Sequence, residues 1–264
     1  MSFQDILKSS VAGSSAGMIQ LTSLFWLKTI IKHQYRHGTS PIKSAQLLYQ
    51  EKDILRFYRG FTPNLLKTCF GKFGDAAFYT YFHQPEFSYL TQGERASYIS
   101  FASSVLKFNL MPLDTYTNMC QVRGEEGINI MRRKISENGL GVLYNGSGAY
   151  FLSNFIGNTT WFYTMDYLNK IYYQPYQKKT DTKKNMLIGF ASSAVSDLIT
   201  NPIRILKTYK QSNKENISYL KSLKEISESK GLVNFYFRGL PSKLLLNGFN
   251  SALFLVLWKK FEHY

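Results

Sequence analysis

The sequence predicts an all-α membrane protein in which six long helices form three similar repeats. Glutamines that close a long helical segment recur at intervals of 87 and 90 residues, at Gln34, Gln121 and Gln211. Turns of the form aromatic-x-Gly recur at intervals of 86 and 93 residues and end at Gly60, Gly146 and Gly239. A long period of this kind is typical of a chain built from structural repeats. Helices of about 20 residues or more are long enough to span a bilayer.

The first repeat covers about residues 1–91. We predict a long helix, a short amphipathic helix and a second long helix, over 3–36, 42–49 and 61–83. The pair Gly13 and Gly17 allows another helix backbone to approach the first helix closely. Pro41 suits the first position of the short helix, because its missing N–H has no partner there.

The second and third repeats, about residues 92–183 and 184–264, follow the same plan. We predict their long, short and long helices over 95–121, 128–135 and 147–173, and then over 185–211, 217–227 and 240–262. Pro112 and Pro202 kink the first long helix of each repeat, because proline removes a backbone donor and collides with the preceding turn. A basic, polar linker over 174–184 separates the two repeats.

Composition limits the class of protein and its partners. The formal net charge of +15 predicts an anionic partner, which is nucleic acid, anionic lipid or an acidic solute. Two cysteines do not make a disulfide framework. Residues 1–10 lack the features of a secretory signal peptide. The mean hydropathy of −0.21 alone favours a soluble protein, but helices that line a water-filled cavity are polar on one side and lower this mean.

The segments Pro112–Gln121 and Pro202–Gln211 carry a recognisable pattern. They resemble the motif P-x-[DE]-x-x-[KR]-x-[KR]-x-Q of the mitochondrial carrier family, and the aromatic-x-Gly turns resemble the second family motif. The resemblance covers the whole chain as a single domain of residues 1–264. It implies a barrel of six tilted transmembrane helices around a central cavity, with short helices on the matrix side. It also implies a multi-pass protein of the mitochondrial inner membrane that is not an enzyme.

In the family, the acid of one repeat pairs with the base of the next, and the glutamine braces each pair; we call this set the matrix gate. The resemblance places these residues in it: Asp114, Lys207, Arg204, Gln34, Gln121 and Gln211. In the best alignment of the first repeat, Phe25 takes the proline position, Leu27 the acid position and Ile30 the basic position. A shift by one residue places Trp26 and Lys28 at the proline and acid positions instead.

These departures leave one expected ion pair, between Asp114 and Lys207. Thr117 takes the basic position of the second repeat, and Arg204 takes the acid position of the third. An Arg204 without its usual partner needs another acceptor, which is a lipid phosphate, a neighbouring side chain or water.

The resemblance also assigns three further sets of residues. The outer gate comprises Asp166, Lys259 and Glu262. The candidate solute contacts, which are equally readable as packing residues, are Lys67, Ser153, Asn154, Leu246 and Asn247. The candidate cardiolipin contacts, which are equally readable as plain helix starts, are Arg59, Gly60, Gly146, Arg238 and Gly239.

Retention of the scaffold with loss of gate charges predicts a carrier that no longer transports. We expect a structural subunit of a larger, respiratory-type complex of the inner membrane. The alternative is an active carrier that exchanges a small, anionic metabolite by alternating access. A soluble nucleic-acid-binding protein is disfavoured, because the positive charge is spread along the chain and no nucleic-acid motif is present. Neither a phosphate-binding glycine loop nor metal-ligand spacing is found, so we expect no cofactor other than bound cardiolipin.

Overall fold

A computed structural model describes residues 3–172 and 182–262, with side chains in the final helix described as far as residue 253. This part of the chain forms α-helices and short 3-10 turns and contains no strand. The helices of the first repeat are α1 Phe3–His37, α2 Pro41–Lys52 and α3 Phe61–Phe82. Those of the second are α4 Gln92–Asn109, α5 Met111–Asn138 and α6 Ser147–Tyr172. Those of the third are α7 Thr182–Gln211, α8 Tyr219–Phe237 and α9 Leu240–Glu262. Most of the linker predicted over 174–184 lies outside the described residues.

The long helices form a closed ring. Going round it, α1 contacts α3, α3 contacts α4 and α5, α4 contacts α6, α6 contacts α7, and α7 contacts α9, which returns to α1. The predicted all-α architecture is therefore confirmed for the described residues. No helix in these ranges has both the length and the apolar character of a membrane-spanning segment.

Polar side chains begin several of the helices. Ser40, Thr91 and Ser218 cap α2, α4 and α8, and the hydroxyl of each accepts a hydrogen bond from a backbone N–H in the first turn. Glu94 completes a capping box at Thr91, because its carboxylate accepts a hydrogen bond from the backbone N–H of Thr91. These caps separate the short helices α2 and α8, and the second repeat, from the segment before each of them.

The predicted kink at Pro112 is a full break between α4 and α5. Leu110, two residues before the proline, has non-helical angles (φ −83°, ψ 3°). Pro202 instead remains inside α7. In the first repeat, α1 is interrupted at Leu24 (φ −119°, ψ 15°) without any proline. Since Leu24 lies two residues before Trp26, the break places Trp26 at the position of Pro112.

Side-chain hydrogen bonds give the same register. Thr29 Oγ1 donates to the carbonyl oxygen of Phe57 over 2.7 Å, and Thr115 Oγ1 donates to that of Leu143 over 2.7 Å. Phe57 and Leu143 each precede a turn glycine by three residues. The alignment therefore matches Thr29 with Thr115.

The best alignment of the first repeat from the sequence differs from this register by one residue. Phe25, which it placed at the proline position, is fully buried and packs edge-on against Phe61, with ring centroids 5.3 Å apart. A large ring of this kind is directed into the contact with α3 because that contact buries it from solvent. Lys28, rather than Leu27, then matches Asp114, and Ile31, rather than Ile30, takes the basic position.

The interior of the ring is unusually polar and its outside is apolar. Buried side chains include Asn64, Asn118 and Thr200. Large apolar side chains such as Phe70, Phe101 and Leu198 are exposed on the long helices. This distribution is the reverse of that in most proteins surrounded by water, where apolar side chains fill the core.

Candidate functional site

A central cavity of about 220 Å³ is lined by helices from all three repeats. Six cationic side chains line it: Lys28, Lys32, Lys67, Arg204, Lys207 and Lys243. Neutral polar groups, including Asn64 and Gln121, complete the polar part of the wall. None of the lining residues in the described part of the chain carries a carboxylate, so the cavity wall is strongly cationic.

Asp114 on α5 joins the three repeats beside this cavity. Its Oδ2 lies 2.7 Å from Lys207 Nζ on α7, and its Oδ1 lies 2.8 Å from Lys67 Nζ on α3. Asn118, one turn later on α5, donates from Nδ2 to Asp114 Oδ2 over 2.9 Å. The side chains of Asp114 and Lys207 are almost completely buried. Their attraction is therefore screened less by water than that of an exposed pair.

The glutamines of the matrix gate are placed differently from one another. Gln211 Nε2 donates to Thr115 Oγ1 over 2.9 Å, and Gln121 Nε2 donates to Thr29 Oγ1 over 3.3 Å, so both cross to a neighbouring repeat. Gln34 Nε2 donates to the carbonyl oxygen of Thr39, five residues along the chain. Gln34 therefore does not match the other two, in agreement with the one-residue shift.

Tyr35 takes the equivalent place in the first repeat. A Cβ atom at Gly239 would lie 2.8 Å from ring carbons of Tyr35, just as one at Gly146 would lie 3.4 Å from Gln211 Cγ. An aromatic ring thus replaces an amide at this position. The hydrogen-bonded brace expected at Gln34 is replaced by packing of α1 against the first turn of α9.

A second buried carboxylate, Asp197 on α7, was not identified from the sequence. It forms an ion pair with Arg204 on the same helix, and its Oδ2 accepts a hydrogen bond from Asn247 Nδ2 over 2.6 Å. Lys243 Nζ lies 3.8 Å from the same oxygen. Residues seven apart lie on one face of a helix, two turns from each other. This spacing is the signal by which Asp197 was predictable.

The acceptor for the guanidinium of Arg204 is the carboxylate of Asp197. Of the three acceptors considered, the structure shows a neighbouring side chain. Arg204 is thus neutralised within its own repeat, whereas Lys207 is neutralised by a carboxylate of another repeat. The ion pairs of the cavity are therefore distributed unequally among the repeats.

Four of the five candidate solute contacts line the cavity: Lys67, Ser153, Asn154 and Leu246. Ser153 Oγ and Asn154 Nδ2 donate to the carbonyl oxygen of Tyr150, one turn earlier in α6. Asn247 is directed to Asp197 instead. Lys67, expected to hold an anionic group of a solute, holds the carboxylate of Asp114.

The outer gate is only partly described. Asp166 lies near the end of α6. Lys259 and Glu262 belong to the last turns of α9, where the side chains are outside the described part. The proposed pairing at this end stays a prediction.

The candidate cardiolipin contacts comprise three turn glycines and two arginines, and the two arginines have different surroundings. Gly60, Gly146 and Gly239 all have positive φ and begin α3, α6 and α9, as the turns predicted. Gly124 interrupts α5 (φ 60°, ψ −131°), and Arg59 forms an ion pair with Glu125 at the start of the short helical part that follows. Hydrogen bonds from Lys52 and Arg59 lower the pKa of the exposed Glu125 to about 2.

Arg238 is placed differently from the expected lipid contact. It is buried, and its Nη1 donates to the carbonyl oxygens of Tyr35 and Arg36 over 3.4 and 3.5 Å. The last carbonyls of a helix lack partners within the helix, and a guanidinium satisfies them well. Arg238 thus closes the end of α1 from inside the protein.

Lys134 binds backbone carbonyls of the connection that follows α7, which ends at Gln211. Its Nζ donates to the carbonyl oxygens of Asn213 and Glu215 over 2.6 and 3.3 Å. Burial, with a further contribution from the charge of Arg123, lowers the pKa of Lys134 to about 8. The short helical part of α5 is thereby joined to the connection between α7 and α8.

Comparison with known families gives one match. The profile of the family described as mitochondrial carrier protein matches residues 3–85 and 178–264, which together make up well over half of the chain. The second repeat, which contains Pro112 and Asp114, lies almost wholly outside the matched regions. No curated protein matches the chain.

Proposed function

Because the chain belongs to the mitochondrial carrier protein family, we propose that it carries a small anionic solute across the mitochondrial inner membrane through its central cavity. The observation that supports this function is the excess of positive charge in the cavity wall. Six cations line the cavity, and the two carboxylates beside it, Asp114 and Asp197, neutralise only part of that charge. A cavity of this kind attracts anions.

A location inside a membrane is supported by the distribution of polar and apolar side chains. Apolar residues such as Phe70 and Phe101 cover the outside of the ring, where hydrocarbon would be the solvent. Polar residues are concentrated inside, where they line the cavity. Ionisable residues within membrane proteins generally face the interior of the bundle or a water-filled path.

The ion pairs of Asp114 suggest how binding of the solute opens the matrix gate. Asp114 holds Lys67 and Lys207, and both cations also line the cavity. A solute anion competes with the carboxylate for these two lysines. Its binding therefore weakens the contacts that join α5 to α3 and α7. A ligand shifts a conformational equilibrium only through its different affinity for the two states, and this competition supplies such a difference.

Exchange in proteoliposomes tests the proposal. Vesicles that contain the purified protein are loaded with a mixture of phosphate and carboxylate anions, and uptake of each labelled anion is measured. We expect Lys67→Gln to reduce uptake at least about tenfold, because a charge-assisted contact with the anion is lost. Lys221→Gln, an exposed lysine on α8, is the matched control and retains wild-type uptake. Absence of uptake of every anion by folded wild-type protein would contradict the carrier function.

The structural subunit remains a second candidate, favoured by a different observation. Of the three pairs that join neighbouring repeats in the matrix gate of the family, the described residues form one, between Asp114 and Lys207. We rank this candidate second because a subunit with only a structural role gains nothing from uncompensated cations in a cavity, which cost free energy when they are removed from water. Extraction in mild detergent separates the two candidates. Quantitative co-migration with a large complex, together with no anion uptake, supports the structural subunit.

A further inference from the structure

Cations have replaced acids at two of the three equivalent positions of the matrix gate. When Trp26 is matched to Pro112, Lys28 corresponds to Asp114. Arg204 takes the same position in the third repeat, because it lies two residues after Pro202. Arg204 is neutralised by Asp197. Lys28 corresponds to a carboxylate but is itself a cation, so the negative charge expected at its position is missing.

No carboxylate replaces that charge within the described part of the protein. Lys28 and Lys32 lie one turn apart on α1, and both line the cavity. Asp114 pairs with Lys67 and Lys207, while Asp197 lies beside Arg204 and Lys243, so neither carboxylate forms an ion pair with Lys28 or Lys32. Lys32 Nζ has a long hydrogen bond of 3.4 Å to the hydroxyl of Thr208. Like charges one turn apart on a helix repel each other.

The formal charge balance indicates what kind of anion fits. Six cations and two carboxylates leave four positive charges in excess at the cavity. A singly or doubly charged anion leaves a large part of that excess uncompensated. An anion with two or more phosphate groups balances most of it, and lysine ammonium groups bind phosphate oxygens as point charges.

We propose that the solute is an anion of the diphosphate or polyphosphate class, with one phosphate group bound by Lys28 and Lys32. This inference rests on the proposed carrier function, since it assigns the class of the transported solute. The bound phosphate supplies, at the position of Lys28, the negative charge that Asp114 supplies in the second repeat. Lys67 and Lys243, on α3 and α9 across the cavity, are available to the remaining charges of the solute when it displaces their carboxylates.

Calorimetric titration of the full chain in detergent tests the assignment. The probes are inorganic pyrophosphate, orthophosphate and citrate at one ionic strength. We expect pyrophosphate to bind at least about tenfold more tightly than either of the others. Lys28→Gln and Lys32→Gln should each weaken pyrophosphate binding about tenfold, whereas Lys28→Arg and the exposed control Lys221→Gln should retain it. Thermal unfolding of each variant shows that it is folded before it is titrated.

Three results would overturn the inference. They are equal or tighter binding of orthophosphate, equal or tighter binding of citrate, and unchanged pyrophosphate affinity in folded Lys28→Gln protein. Failure of the inference is distinguishable from failure of the proposed function. Uptake of a monophosphate or carboxylate without pyrophosphate binding overturns the solute class and leaves the carrier function intact. Tight pyrophosphate binding that depends on Lys28, without uptake of any anion, supports the site and contradicts transport.

Discussion

At the scale of single residues, Asp114 is the carboxylate whose substitution is expected to destabilise the fold most. It is buried and accepts from two lysines and one asparagine. Asp114→Asn removes the charge and leaves Lys207 buried without its counterion. We expect a loss of about 3 kcal/mol of stability, because removing one member of a buried ion pair leaves an uncompensated charge. Thermal or denaturant unfolding in mild detergent measures this loss.

The matched control is Asp53→Asn, the same chemical change at an exposed carboxylate. Asp53 already adopts a positive φ of 49° in the wild type, and asparagine has nearly the same size as aspartate, so the change adds little backbone strain and the control should unfold like the wild type. Equal stability of Asp114→Asn and Asp53→Asn would show that the buried pairs do not stabilise the fold.

The pair of Asp197 and Arg204 gives a second prediction for single residues. We expect Asp197→Asn and Arg204→Gln to be destabilising, and the double variant to be less destabilised than the sum of the two. A coupling free energy of about 1–3 kcal/mol is expected for residues that are in contact. A double-mutant cycle based on unfolding measurements gives this quantity. Additive effects within error would contradict the ion pair.

The sequence was sufficient to place Asp114 and Lys207 together, because both occupy motif positions that follow a proline. It was not sufficient to place Lys28, since α1 contains no proline and two alignments fit its sequence almost equally well. Burial of Phe25 against Phe61 decides between them, and this contact depends on packing between helices. Asp197 belongs to no motif, so only its spacing from Arg204 indicated a role.

At the scale of helices, Gly239 determines how closely α9 approaches α1. Its φ is 70°, and an added Cβ would lie 2.8 Å from the ring of Tyr35. Gly239→Ala therefore costs about 1–2 kcal/mol for the left-handed conformation and about 1–3 kcal/mol more for overpacking. Unfolding in detergent measures the total.

Gly231→Ala is the control, because Gly231 also has a positive φ (79°) but an added Cβ meets no atom within 4 Å. Gly231 has a ψ of 162°, a conformation that is at least as unfavourable for alanine as the left-handed one, so a larger loss in Gly239→Ala is attributable to the contact with Tyr35. If both variants lose equal stability, the packing of α9 against α1 at this point is looser than described.

The contact of α5 with the connection after α7 gives a dependence on pH. The pKa of Lys134 is about 8 in the folded protein, and a lysine in an unfolded chain has a pKa of about 10.4. Between these values the folded protein has released a proton that the unfolded chain still binds. The contribution of Lys134 to stability therefore rises as the pH increases from about 8 to about 10.4.

Comparison with Lys134→Met isolates this contribution. We expect the unfolding temperature of the wild type to increase relative to that of Lys134→Met between pH 7.5 and 9.5, on the order of a few degrees. Lys221→Met provides the control for removal of an exposed lysine. A constant difference between the wild type and Lys134→Met across this range would contradict the lowered pKa.

Most helix positions were predictable from the sequence, because prolines, glycines and caps mark their ends. The short helix of the first repeat was predicted correctly as well, but the other two were not. The one predicted over 128–135 continues α5 beyond Gly124, and the one predicted over 217–227 extends as α8 to Phe237. Gly124 and Gly231 interrupt these segments with positive φ, but the helical hydrogen-bonding pattern resumes after each of them. A glycine in a sequence marks such a turn without showing whether the helix restarts.

At the scale of the whole molecule, the reversed distribution of polar and apolar side chains predicts how the protein fractionates. Exposed residues such as Phe70 and Leu198 favour contact with lipid over contact with water. We expect the protein to remain in mitochondrial membranes after washes with 1 M salt (about 3 Å screening length) and with alkaline carbonate, and to be released by detergent. A peripheral protein held by its positive charge is released by the salt wash. Release by salt alone would contradict membrane insertion.

In the proposed carrier, the two contacts of Asp114 predict how many separate steps the opening of the matrix gate requires. Lys67 belongs to the first repeat, Asp114 to the second and Lys207 to the third. One carboxylate therefore connects all three repeats, and when it is displaced the contacts on both of its sides are released together. For the proposed carrier we therefore expect the loss of these two ion pairs to be a single cooperative event with one rate constant, instead of a succession of independent steps in which partly opened intermediates accumulate.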